Sequence, residues 1–187
     1  MTLIYQILSI LISVVIVPLF TVISFFSKYK FKFLLHHFGF VPSIIRDERK
    51  ILWFYALSLG EVKAVKQVLE KIKQKDSSLR IVVSVTTDSG YEGALEHLKM
   101  VENIFFQPLD CFPFIWLGLR KIQPDLYVIN DTGFWPGLID QLHKKKIPIV
   151  LFNGRISNRS AKAYLKAGSL FKNLFQKFDR LCMQNEN

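Results

Sequence analysis

The side chains able to do chemistry in this sequence gather in four polar, glycine-containing segments: Ser58-Leu-Gly-Glu61, Thr86-Thr-Asp-Ser-Gly90, Asn130-Asp-Thr-Gly133 and Asn153-Gly-Arg-Ile-Ser157. Glu61 is a carboxylate that could take a proton from an attacking hydroxyl, and Gly60 beside it would let a substrate come close. Ser58-x-x-Glu61 is equally a capping box, in which the glutamate reaches back to a backbone N–H at a helix start. Asp131 offers a second carboxylate, useful where positive charge develops or an acceptor must be positioned; otherwise it caps the helix that Pro136 opens. Arg155, two residues before Ser157, could hold a phosphate or carboxylate bidentately, or be a solvated loop residue. No G-x-G-x-x-G or Walker pattern is present, so an ordinary dinucleotide or P-loop site is not supported. His36 and His37 are adjacent and have no third ligand at zinc spacing. His97 and His143 lack an evident Ser or Cys partner, so neither a metal site nor a hydrolase triad is expected. Cys111 and Cys182 fit no ligand spacing and point to a reduced setting.

Each segment follows a stretch that reads as a strand. Ile51–Leu57 predicts a buried strand, and Glu61–Lys75 a helix with Val62, Val65, Leu69 and Ile72 on one face. Arg80–Thr86, Asn103–Phe106, Asp125–Ile129, Ile147–Phe152 and Arg180–Met183 predict further strands. Ser89–Lys99, Phe112–Ile122, Phe134–Lys145 and Ser160–Lys177 predict the helices between and after them. Such alternation predicts an α/β fold whose parallel sheet is covered on both faces. Ligands of such sheets bind outside the carboxyl ends of the strands, where the four segments should meet.

Charge divides the chain differently. Of the net +10, residues 28–50 hold +4, residues 51–154 hold +1 and residues 155–187 hold +5. A nearly neutral middle argues against a nucleic-acid-binding protein. Residues 1–27 carry no ionisable side chain except Tyr5, and a helix of that length could cross a hydrocarbon core of roughly 30 Å. The segment lacks the basic start and small-residue cleavage site of a signal peptide. Lys28, Lys30 and Lys32, interleaved with Tyr29, Phe31 and Phe33, then suit the cytoplasmic interface. The expectation is an uncleaved membrane anchor over 1–27, a basic and aromatic interfacial linker over 28–50, and the α/β domain over 51–187. Pro18 and scattered Ser and Thr leave open a helix lying in one leaflet. The basic, aromatic helix 160–177 reads as an ordinary amphipathic helix or as a contact for anionic head groups.

Together, Trp53-Phe-Tyr-Ala-Leu-Ser-Leu-Gly-Glu61, Val85-Thr-Thr-Asp-Ser-Gly90, Gln107-Pro-Leu-Asp110, Pro124-Asp-Leu-Tyr-Val-Ile-Asn-Asp-Thr-Gly-Phe-Trp-Pro136, Asn153-Gly-Arg-Ile-Ser-Asn-Arg-Ser160 and Gln184-Asn-Glu186 come in the order and spacing of one family. The sequence resembles, over essentially its whole length, the N-terminal half of the 3-deoxy-D-manno-octulosonic acid (Kdo) transferases. These are inner-membrane glycosyltransferases of Gram-negative bacteria that move Kdo from CMP-Kdo onto the lipid A precursor. The resemblance implies a GT-B architecture of two facing Rossmann-like domains, the first for the acceptor and the second for the nucleotide sugar. It implies that Glu61 is the general base of an inverting, metal-independent transfer. It places Asp131 where the family has a Glu that stabilises the transition state, and Ser58, Gly60, Arg155 and Ser157 at the acceptor. No cofactor is implied beyond the donor CMP-Kdo.

The departures from the family are specific. Asp131 is one methylene shorter than the family's Glu, Gly133 replaces a second acid, Gly137 stands where Asn is usual, and Tyr55 where His is common. The chain stops at Asn187, about where the family's N-terminal domain nears its end. The expectation is therefore a fragment or one half of a split enzyme, inactive alone because nothing orients the donor. A separate nucleotide-sugar-binding chain would complete it. The alternative is a non-catalytic, membrane-associated lipid-binding module with the same fold.

Overall fold

Apolar runs too short for helices and too apolar for a half-solvated sheet can only be satisfied as strands buried on both faces. The computed structural model, which describes residues 3–131, 133–156, 161 and 168–184, has six of them. They are β1 (Ile51–Tyr55), β2 (Arg80–Val85), β3 (Asn103–Phe106), β4 (Leu126–Asn130), β5 (Ile149–Gly154) and β6 (Arg180–Met183). All neighbours pair parallel, in the order β3-β2-β1-β4-β5-β6. This is a doubly wound, Rossmann-like sheet, and its order reverses between β1 and β4. Helices α1 (Leu3–Ser24) and α2 (Lys30–His37) precede it. Helices α3 (Leu59–Lys75), α4 (Asp88–His97), α5 (Phe112–Ile122), α6 (Pro136–Lys144) and α7 (Ser169–Phe175) intervene between strands.

The twofold alternation of strand side chains sorts the core into two layers. Ile51, Trp53 and Tyr55 join Phe105, Tyr127 and Ile129 under Ile115, Leu119 and Leu138 of α5 and α6. Leu52 and Phe54 point the other way, to Val62, Val65, Leu69, Tyr91 and Ala94 of α3 and α4. The Trp53 indole donates to Ser84 Oγ (2.7 Å) and Ser84 donates to Gln107 Oε1 (2.6 Å), so these three buried side chains satisfy one another.

Residues 28–50 do more than link. Phe33 and the imidazoles of His36 and His37 are buried, and Val41 and Ile44 belong to the core. His37 sits among Phe20, Phe33 and Phe106, with ring centroids 4.1–5.7 Å away. The pair is thus a packing element, and no group of three His, Cys, Asp or Glu is placed to hold a metal ion among the described residues. Helix α6 begins at Pro136 rather than at Phe134, because proline is preorganised for the first turn. Of the expected helix 160–177 the structure describes α7, Ser169–Phe175, while Ser157 and residues 162–167 lie outside the described residues.

Candidate active site

The site is assembled where the strand order reverses. Residues after β1 turn into α3 and residues after β4 turn into α6, on opposite sides of one crevice. The first turn carries Glu61 and the second Asp131. Ser58 is the N-cap of α3, with extended backbone, but its hydroxyl makes no capping bond. Glu61 instead accepts from the Leu57 backbone N–H at 2.6 Å. Only the backward-reaching half of the capping box therefore forms, one residue earlier than the usual pattern.

Close packing from α4 holds this turn. Thr86 N–H donates to Leu57 O at 3.2 Å. A Cβ at Gly90 would lie 3.2 Å from Ser58 Cα, and one at Gly93 only 2.2 Å from Leu59 Cδ1. From the opposite side, the amide of Asn130 donates to the backbone carbonyl of Glu61 at 3.3 Å. Asn130 is fully buried, and its Oδ1 has no partner. Gly60, in contrast, faces open space, with nothing within 4 Å of an added Cβ.

Glu61 is half-buried, and that burial raises its carboxyl above the ordinary value of 4.5. The Leu57 hydrogen bond opposes the rise, and the negative charge of Asp131 adds to it. Asp131 itself has φ +63°, a left-handed conformation that costs a non-glycine residue about 1–2 kcal/mol and that Asp tolerates better than most. Its backbone N–H donates to Phe152 O at 3.0 Å, which ties the end of β4 to β5. Strain of this kind persists where the surrounding structure over-determines it.

Tyr55 and Gly133 meet in space. The buried Tyr55 ring would lie 3.0 Å from a Cβ at Gly133. Its hydroxyl is 3.0 Å from Thr86 Oγ1, and Trp135 packs edge-on at 5.8 Å. The ring thus occupies ground that a side chain at position 133 would need. Burial pushes the Tyr55 phenol up to about 12, so it is neutral.

Arg155 follows β5 at the same edge of the sheet and is exposed. Ser157 and Thr132 lie outside the described residues. The structure thus brings Ser58, Gly60, Glu61 and Asp131 to one crevice and Arg155 to its rim. Sequence reasoning missed two residues that shape it. Asn130 binds across the crevice, and Asp110, from the loop after β3, accepts from the N–H groups of Gly137 and Leu138 at 2.8 Å and so fixes the start of α6. Asp110 carries no local signal for this, since its partners lie 27 and 28 residues away.

The fold is a Rossmann-like α/β domain that brings two carboxylates, Glu61 and Asp131, to the point where the strand order reverses. The family model described as 3-deoxy-D-manno-octulosonic-acid transferase (kdotransferase) matches residues 33–187, and the chain belongs to that family of glycosyltransferases. It is 37% identical over 147 residues to a bifunctional glycosyltransferase/methyltransferase of Fusobacterium nucleatum, covering 77% of this chain and 22% of that protein. It is 30% identical over 162 residues to the 3-deoxy-D-manno-octulosonic acid transferase of Chlamydia pneumoniae, covering 86% of this chain and 37% of the relative. The enzyme of the same name from Rickettsia conorii is 28% identical over 146 residues, covering 78% and 31%. The chain therefore spans between about a fifth and two-fifths of the length of these relatives.

Proposed function

We propose that the chain supplies the acceptor-side half of a glycosyltransferase that moves Kdo from CMP-Kdo to a lipid A precursor. The nucleotide-sugar domain is then supplied by further polypeptide, covalently continuous or as a partner chain. The observation that carries this reading is Glu61, a half-buried carboxylate held between the Leu57 N–H and a second carboxylate, with open space beside it at Gly60.

In the reaction, Glu61 accepts the proton of an acceptor sugar hydroxyl as its oxygen attacks the anomeric carbon of Kdo. The bond from that carbon to the CMP phosphate breaks on the opposite face, the electron pair leaves with CMP, and configuration inverts. A carboxyl raised above 4.5 is a stronger base than an ordinary glutamate. Asp131 faces the positive charge that develops on the donor ring. The exposed Arg155 at the rim, with Ser157 and Ser58, contacts the phosphorylated acceptor. The transfer so read needs no metal and no cofactor beyond the donor CMP-Kdo. Helix α1 attaches the domain to the cytoplasmic face of the inner membrane, where a lipid acceptor is presented; Ile7–Ser24 has a mean hydropathy of 2.7.

The same fold without chemistry is the second reading, favoured by the Tyr55 ring filling the space beside Gly133. The test is CMP-Kdo-dependent transfer to lipid A precursor in detergent. The chain alone should transfer nothing, and adding the nucleotide-sugar domain of a relative should restore transfer. Transfer by the chain alone would contradict the half-enzyme reading; absence of transfer with every donor domain tried would favour the non-catalytic module.

A further inference from the structure

Helix α1 is long and apolar enough to cross a bilayer, but its contacts describe a different posture. From Ile7 onward, among the described side chains, one stripe of it is covered by protein. Ser9, Ser24 and Ser27 are buried and Ser13, Ile16 and Phe20 are partly covered, at spacings of three or four residues that keep one helical face. Near its start, Ser9 Oγ accepts from the backbone N–H of Phe112, the first residue of α5. Just past its end, the Ser27 hydroxyl donates to Asp88 Oδ1 (2.8 Å) and Lys28 N–H to Asp88 Oδ2 (2.9 Å), at the start of α4. Between these points Phe20 stacks on Phe33 and packs at a tilt against His37. Both anchoring points are helix N-termini that follow strands β3 and β2, so α1 lies along the carboxyl edge of the sheet. A cavity of about 290 Å³ separates its first turns from Leu109, Cys111 and Trp135, the last of these packed on Tyr55 of the site.

We infer that α1 does not cross the membrane but lies in the cytoplasmic leaflet, parallel to the surface, and holds the carboxyl edge of the sheet against the head groups. This rests on the membrane association proposed above and specifies its geometry. A helix of 22 residues is about 33 Å long. Were it to span, contacts at both ends with one folded domain would draw that domain, with its charged Asp88 and Glu92, through the hydrocarbon. Lying flat, α1 turns Leu8, Leu11, Val15, Leu19, Val22 and Phe26, all exposed, toward the acyl chains. The hydroxyls of Ser13, Thr21 and Ser24 return to carbonyls three or four residues back, so these polar groups are already paired. Exposed Lys28, Lys30 and Lys32 with Phe31 follow at the same corner, suited to anionic head groups.

Depth measurement decides it. Single cysteines at Leu11, Val15, Leu19 and Val22, with Cys111 and Cys182 replaced by Ser, are spin-labelled in the full chain. Their depth is read in vesicles of zwitterionic and anionic phospholipid. The flat helix predicts four equal depths, about 5–10 Å below the head groups. A spanning helix predicts depths that differ by up to about 16 Å between positions 11 and 22, which would overturn the inference while leaving membrane association intact. Failure to bind vesicles, or a soluble dimer built on the same face, would overturn both. As a second readout, Thr2→Cys should react with a membrane-impermeant maleimide only after spheroplasts are permeabilised; reaction in intact spheroplasts contradicts the flat posture.

Discussion

The two edges of the sheet use the same residue types to opposite ends. At the amino edge, Asp47, Glu102 and Asp125 each meet a cation. Asp125 accepts two bonds from Arg46 (2.7 and 2.9 Å), one from Lys50 (3.1 Å) and one from Ile51 N–H (2.9 Å). Arg80, 6% exposed, binds Glu102, Asp47 and the Ile45 carbonyl. Arg46 holds the Asp125 carboxyl well below its ordinary value, Arg49 brings Asp47 to about 2, and Arg80 lowers Glu102. At the carboxyl edge, Glu61 faces a backbone N–H and another carboxylate, and burial raises it. The amino edge is a matched network that closes the fold. The carboxyl edge retains a basic carboxylate, which is what a proton-accepting site requires.

This contrast can be broken from either side. The largest effect is expected for Glu61→Gln in the enzyme completed with a donor domain. Transfer should fall by roughly 10²–10⁴-fold with an unchanged thermal midpoint, because the amide oxygen can still accept from Leu57. At the amino edge, Arg80→Ala should do the converse. Loss of its charged hydrogen bonds costs about 2–3 kcal/mol, visible as a lower denaturation midpoint, while the folded fraction retains full specific activity.

Acid should separate the regions as well. The histidines buried neutral at the α2 junction have pKa values lowered to about 4 by burial. The unfolded chain binds protons there first, so stability is full above about pH 6.5 and falls as pH drops toward 4. Asp47, Asp125 and Glu102, lowered in the fold, contribute stability above their unfolded values, and that contribution is lost as pH falls further through their lowered values. Urea midpoints from pH 7 to 2 should show both phases, and replacing His36 and His37 by Asn should flatten the first.

The smallest effects concern the glycines of the site. Gly133→Ala should cost about 1 kcal/mol through crowding of the Tyr55 ring, and less in a Tyr55→His background. Additive costs in that double-mutant cycle would show that positions 55 and 133 are not coupled. Gly60→Ala meets no atom, so it should leave stability unchanged or slightly raised; any loss of transfer then reports acceptor approach.

Much of this architecture is legible in the sequence for a physical reason. Strands such as Ile51–Tyr55 and Arg80–Val85 are β-branched or aromatic runs buried on both faces, and the polar residues that follow them must leave the sheet at one edge. Glu61 and Asp131 could therefore be placed near one another before any coordinates. What stayed hidden depends on distant partners. Phe33 and His37 read as interfacial until Phe20 and Phe106 surround them. Tyr55 and Gly133 look like two unrelated departures until one ring is seen against the other backbone. Asp110 reads as part of a loop until it caps α6.

The crevice raises Glu61 by burying it and by setting Asp131 against it. Carbon-13 NMR titration of the Glu61 side-chain carboxyl in this chain, alone and with Asp131→Asn, tests it without any substrate. The midpoint should lie above 4.5 and move down when the aspartate charge is removed. A midpoint at or below 4.5, unmoved by Asp131→Asn, would contradict it.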